Sequence, residues 1–128
     1  RDLKIIANDD AGFSASPGWA TTITGDGKVV QVIGAGRKMK KNVPRTLTES
    51  EVRDLVKKRE AADYFRLAKL IGHLSPDVAF RKLTVTADGQ TREVMLYPPT
   101  RRPGGAAVEQ FFMIWDEVLK KCPPPKRD

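Results

Sequence analysis

The single histidine, His73, stands in "LIGHLSPD", with Ser75 and Asp77 following closely. Serine, histidine and an acid are the parts of an acyl-transfer triad, in which imidazole takes the serine proton and a carboxylate orients the ring. Such a triad needs convergence in space, which closeness along the chain does not supply. The Gly-x-Ser-x-Gly elbow that presents a serine nucleophile is absent. His73 therefore reads first as a loop or helix-end residue. A small hydrolase or transferase around His73 and Ser75 ranks third among the functions considered.

Other candidate chemistry is thinner. Asn8, Asp9 and Asp10 precede Gly12 and offer oxygen ligands, but the D-x-[DN]-x-[DN]-G spacing and distal glutamate of a calcium loop are missing. A loop with solvated carboxylates is expected there. "GAGRK" at 34–38 sets glycines ahead of cations, yet it matches neither the Walker nor the Rossmann spacing. Its amides could form an anion nest at most. Glu49 with Glu51, and Glu109 with Asp116, sit at helical spacings that suit capping or solvent-facing charge. One cysteine, Cys122, excludes an internal disulfide and any multi-cysteine zinc site. Placed before Pro123-Pro124-Pro125, it reads as a tail thiol. No metal and no cofactor are expected, and the balance leans away from an enzyme.

The remaining chemistry is cationic. The 128 residues carry 23 Lys and Arg against 16 Asp and Glu, a net charge of +7, which favours acidic partners. The densest cluster, "GRKMKKNVPR", holds Arg37, Lys38, Lys40, Lys41 and Arg45. "VKKRE" adds Lys57, Lys58 and Arg59, "YPPTRRPGG" adds Arg101 and Arg102, and "PKRD" closes the chain. No aromatic alternates with these cations, so the stacking platform of single-strand binders is lacking. Arg37, Lys38, Lys40, Lys41, Arg45, Arg59, Arg101 and Arg102 are the candidate anion- or partner-binding residues.

These residues need a scaffold, and the length suits one domain. "LKII" at 3–6 predicts a short strand. "TITGDGKVVQV" and "TVTADGQTREV" each predict a hairpin reversing at Asp-Gly, a pair that tolerates positive φ in a two-residue turn. With Asp26 and Gly27 as the turn, Ile23 should face Val30 and Thr21 should face Val32. Thr22, Thr24 and Gln31 then fall on the wet side. Leu83, Val85, Val94 and Leu96 share the buried face of the second hairpin, so both should run in one register. "TLTESEVRDLVKKREAADYF" predicts a helix capped by Thr48 and Glu51, with Val52, Leu55, Val56, Ala62 and Phe65 on one stripe. Arg59, seven positions beyond Val52, points to the same side. Its stem would snorkel the charge to the rim, or the cation would stand at the mouth of a groove. "GGAAVEQFFMIWDEVLKK" predicts a second helix striped by Val108, Phe111, Phe112, Trp115, Val118 and Leu119 and closed by Lys120 and Lys121.

The fold expected is α+β: an antiparallel sheet of two hairpins plus an N-terminal strand, with both helices on one face. A lone hairpin is marginal, whereas joined strands beneath helices are stable. Ile23, Val85 and Trp115 should share one core. The domain should span 1–122 as two hairpin-plus-helix units, about 1–72 and 73–122, followed by a Pro-rich basic tail at 123–128.

From "ITGDGKVVQVIGAGRKMKKNVPRTLTESEVRDLVKKREAADYFRL" the chain resembles a family of bacterial domains of unknown function found in exported or lipid-anchored envelope proteins. The carriers are the Gly-Asp-Gly hairpin, "TLTESEV" and "EAADYF", with "LTVTADGQTREV" similar to the family's second hairpin. The resemblance implies a fold and a secreted, periplasmic or envelope-anchored location; it implies no catalytic residues. The chain departs from the family in lacking its cysteine segment before the first hairpin, here "AGFSASPGW", and in carrying Arg59 where an aromatic is usual. No run of ~20 apolar residues could cross a bilayer. The chain opens on Arg1, so any export signal is expected to have been removed. The leading functional expectation is a non-enzymatic domain that binds an acidic partner, possible forms including an inhibitor. The runner-up is a nucleic-acid or polyanion binder using the 37–45 loop, Lys57, Lys58 and the tail.

Overall fold

The structure is a computed structural model whose described residues are 3–10, 18–33, 40–42, 46–62, 70–72, 80–87, 89–97 and 105–123. In chain order they form β1 (Lys4–Asp10), β2 (Trp19–Thr24), β3 (Val29–Ile33), β4 (Lys40–Asn42), α1 (Glu49–Ala62), β5 (Leu70–Gly72), β6 (Phe80–Ala87), β7 (Gln90–Tyr97) and α2 (Ala106–Lys121). The fold is α+β. One sheet has the order β4-β3-β2-β1-β6-β7-β5. Five long strands are mutually antiparallel, and short β5 runs parallel to β7 at one edge.

β1 is the centre of this arrangement. It pairs with β2 on one side and β6 on the other, so it joins the two hairpins. It is also longer than its apolar run. Ala7, Asn8, Asp9 and Asp10, expected in a loop, continue the strand. The polar end is tolerated because Asp9 meets the guanidinium of Arg81, its partner on β6, at 3.5 Å.

The first hairpin departs from the expected register. Ile23 pairs with Val29 and Thr21 with Gln31, so Gly25, Asp26 and Gly27 form a three-residue loop. The Gly27 N–H donates to the Thr24 carbonyl, and Gly27 has φ 88°. That is a turn followed by a left-handed bulge, the other hairpin solution open to Asp-Gly. The extra residue flips every side chain of β3. Gln31, expected outside, is buried; Val30 and Val32, expected inside, are half-buried on the opposite face. The second hairpin keeps the two-residue turn, with Ala87 paired to Gln90 and Leu83 to Val94. The two hairpins are alike in sequence and different in register.

One face of the sheet carries the core. Leu3, Ile5, Ala7, Trp19, Ile23, Val29, Leu83, Val85, Val94 and Leu96 bury there with Leu55 of α1 and most of the apolar stripe of α2. Ile23, Val85 and Trp115 lie in this single cluster. Each such large side chain contributes roughly 2 kcal/mol of transfer free energy. One ring pair ties sheet to helix, with Trp19 and Trp115 5.7 Å apart between centroids, and within α2 Phe111 stacks on Trp115 at 5.7 Å.

Both helices form where their caps and periods place them. Thr48 accepts at Oγ1 from the Glu51 N–H, and the Thr48 N–H donates to Glu51 Oε1, the reciprocal capping box. Leu55 is fully buried, and Val52 and Val56 pack against the core. Phe65 lies outside the described residues. α2 buries its stripe except for Leu119, which is half-buried, and also buries Ile114 and Lys121, which the stripe did not include. Lys121, expected as a cation closing the helix, is only 8% exposed. Its Nζ meets Glu117 Oε2 at 2.7 Å and Asp54 Oδ2 of α1 at 3.4 Å, which fastens the helices together. Cys122 is a further correction: it is 1% exposed within the core cluster and follows α2 as its C-cap, so it is no tail thiol. Buried Gln31 donates from Nε2 to Thr21 Oγ1 and to the Pro123 carbonyl, anchoring the chain just beyond α2.

Candidate functional site

The two ends of the sheet differ. One end holds the two Asp-Gly reversals, the Lys28–Thr46 bridge and the amide of Leu47, which donates to the Gly27 carbonyl. At the opposite end β1 stops at Asp10, β2 begins at Trp19, β3 stops at Ile33, β4 begins at Lys40, β6 begins at Phe80 and β7 stops at Tyr97. The last full row across the long strands there is Ile33, Trp19, Asp9, Arg81 and Leu96. Four connecting segments, 11–18, 34–39, 73–79 and 98–105, therefore leave the strands from this one end. Loops that leave a rigid sheet together are where binding groups tend to gather.

The candidate cations divide accordingly. Arg37 and Lys38 fall between Ile33 and Lys40, which pair with each other at this end. Arg101 and Arg102 come after Tyr97 in sequence, and Tyr97 ends β7 at the same end. Lys40 and Lys41 belong to β4, so the 37–45 cluster, expected as one loop, is partly strand and runs back along β3. Arg45 adjoins Thr46, whose bridge to Lys28 belongs to the reversal end, so that cluster is spread along the sheet edge. Arg59 is half-buried on α1, as its place on the apolar stripe implies. The side chains of Arg37, Lys38, Lys40, Lys41, Arg45, Arg101 and Arg102 lie outside the described residues, as do His73, Ser75 and Asp77.

A cation that the charge clusters did not single out is described in full at this end. Arg81 sits on the core side of β6, in the same alternation as Leu83 and Val85. Its guanidinium carbon is 5.1 Å from the Trp115 ring centroid and 5.6 Å from that of Phe112. Such contacts hold a cation by the ring quadrupole. Asp9 Oδ2 is 3.5 Å from its Nε, an ion-pair distance without a hydrogen bond. The side chains of Arg81 and Asp9 are 29% and 22% exposed, so the pair reaches solvent. Trp115 Nε1 is also buried with no hydrogen-bond partner among the described residues. The corner thus combines a fixed guanidinium, two buried N–H donors without hydrogen-bond acceptors, and aromatic walls. It is suited to an incoming acceptor group. The signal for Arg81 was present in the sequence: it is two residues before Leu83, and strand side chains alternate.

Asn8 and Asp9 alternate along β1, and Asp9 is engaged by Arg81. Among the described residues no group of three His, Cys, Asp or Glu could hold a metal ion, and no helix is long and apolar enough to cross a membrane. No protein-family model matches the chain, and a search of curated proteins finds no match.

Proposed function

We propose that this chain is a non-enzymatic binding domain whose partner is acidic, and that it works from the end of the sheet opposite the Asp-Gly reversals. The observation that carries the reading is the gathering at that end. Segments holding Arg37, Lys38, Arg101 and Arg102 leave the sheet there, beside Lys40 and the aromatic-held Arg81. The net charge of +7 supplies long-range attraction for an acidic surface. The resemblance to domains of exported and envelope proteins supports a bacterial, secreted or periplasmic setting, and an inhibitor of a secreted enzyme is one form such a domain takes.

Two probes separate this reading from a polyanion binder. Poly-L-glutamate and heparin are titrated against the protein at low and at physiological salt. The acidic-partner reading expects poly-L-glutamate to be preferred and to remain bound at physiological salt. A backbone-type polyanion binder prefers heparin or DNA and loses affinity steeply as salt rises, because counterion release drives it. No binding to either probe at low ionic strength contradicts both readings.

A further inference from the structure

We propose that Arg81 is the carboxylate anchor of this domain, presenting its two terminal guanidinium nitrogens to an aspartate, glutamate or C-terminal carboxylate of the partner. The inference rests on the acidic-partner reading and names the residue at its centre. Arg81 is in none of the basic clusters of the sequence. It is pinned from behind, its Nε turned inward to Asp9 at 3.5 Å and its guanidinium placed against Trp115 and Phe112 at 5.1 and 5.6 Å. Nε is buried and makes no hydrogen bond. The side chain is 29% exposed, so it reaches solvent.

A planar fork of parallel donors matches a carboxylate in two hydrogen bonds, a geometry that lysine cannot reproduce. Fixing the fork in advance removes the entropy that a flexible surface arginine loses on binding. Asp9 is a partial competitor. It neutralises Arg81 in the unbound protein from the side of the buried Nε, 3.5 Å away. The strand row of Ile33, Trp19, Asp9, Arg81 and Leu96 puts this anchor at the end from which the basic segments depart. Those segments would supply attraction and Arg81 the directed contact.

The test uses the full chain with poly-L-glutamate as probe and compares Arg81→Lys, Asp9→Asn and Glu93→Gln, with thermal unfolding recorded for each. Arg81→Lys keeps the charge and should lower affinity about tenfold, the loss expected for one charge-assisted pair. Asp9→Asn removes the internal competitor and should raise affinity by more than Glu93→Gln, which makes the same charge change at an exposed position of β7. Unchanged affinity in Arg81→Lys, with Arg101→Gln and Arg102→Gln weakening binding, overturns the anchor while leaving the acidic-partner reading intact. Asp9→Asn that binds no better than Glu93→Gln also overturns it. A wild-type protein that ignores poly-L-glutamate at low salt overturns both.

Discussion

Leu47 lies directly against Gly27. The Leu47 N–H donates to the Gly27 carbonyl at 2.7 Å, and a Cβ on Gly27 would stand 2.3 Å from the Leu47 carbonyl oxygen. Gly89, in the matching position of the second hairpin, has nothing within 4 Å of such an atom. Both glycines have positive φ, 88° and 75°. Gly89→Ala should therefore cost only the conformational penalty, about 1–2 kcal/mol. Gly27→Ala adds a backbone overlap and should cost about 3 kcal/mol or more. Urea denaturation of the two variants checks this; equal losses would mean that Leu47 does not pack on the first turn.

The capping box makes a narrower prediction. Thr48 and Glu51 satisfy each other's amides at the start of α1. Thr48→Ala should lower stability by about 1 kcal/mol, and Thr48→Asp should restore most of it. Chemical denaturation reads both.

Lys121 links the helices and gives a pH dependence. Burial lowers its pKa, but the bonds and charges of Glu117 and Asp54 outweigh that, so the folded value is raised above the ordinary 10.5. A cation whose folded pKa is raised contributes fully below the unfolded value and loses that contribution as pH rises through the folded one. Lys121→Met should therefore be less stable than wild type at neutral pH by roughly 1–3 kcal/mol, since Glu117 loses its partner. The gap should narrow above a pH of about 10.5. A gap independent of alkaline pH would contradict the ion-pair account.

Gln31 and Pro123 form the tie between β3 and the end of α2, and Cys122 lies beside it, buried. The thiol should react with a disulfide reagent such as DTNB only through opening of the structure. Gln31→Ala removes the donor to the Pro123 carbonyl and should speed that reaction several-fold at unchanged pH. Fast labelling of the wild type would place Cys122 at the surface.

Much of the scaffold was legible because its signals are local. The Thr48–Glu51 box and the stripe from Val108 to Val118 follow the helical period, and the second hairpin follows simple alternation. The first hairpin was legible as a hairpin and misread in register, since Asp-Gly serves loops of two or three residues. Gly25 marks the difference: its counterpart Ala87 is a paired strand residue. The polar end of β1 was hidden because its compensation is tertiary. Asp9 finds Arg81 across the sheet, beyond the reach of a local pattern. β4 and β5, three residues each, carry too little period to read.

The candidate site was less legible. Charge density singled out residues such as Arg37 and Arg101, and density along a chain does not tell which cations share an end of a sheet. Arg81 follows from alternation with Leu83 and Val85, but an arginine beside Lys82 in a strand reads as a wet-face residue unless its inward parity is weighed. Its aromatic supports, Phe112 and Trp115, come from α2 and can be placed only in three dimensions.

The central claim, that an acidic ligand is met at one end of the sheet, is tested most directly by amide chemical-shift mapping with poly-L-glutamate. The account predicts perturbations at Asp9, Trp19, Ile33, Arg81 and Leu96, the row from which the basic segments depart. Perturbations confined to Gly27, Thr46 and Gly89 at the other end, or none at saturating ligand, would contradict it.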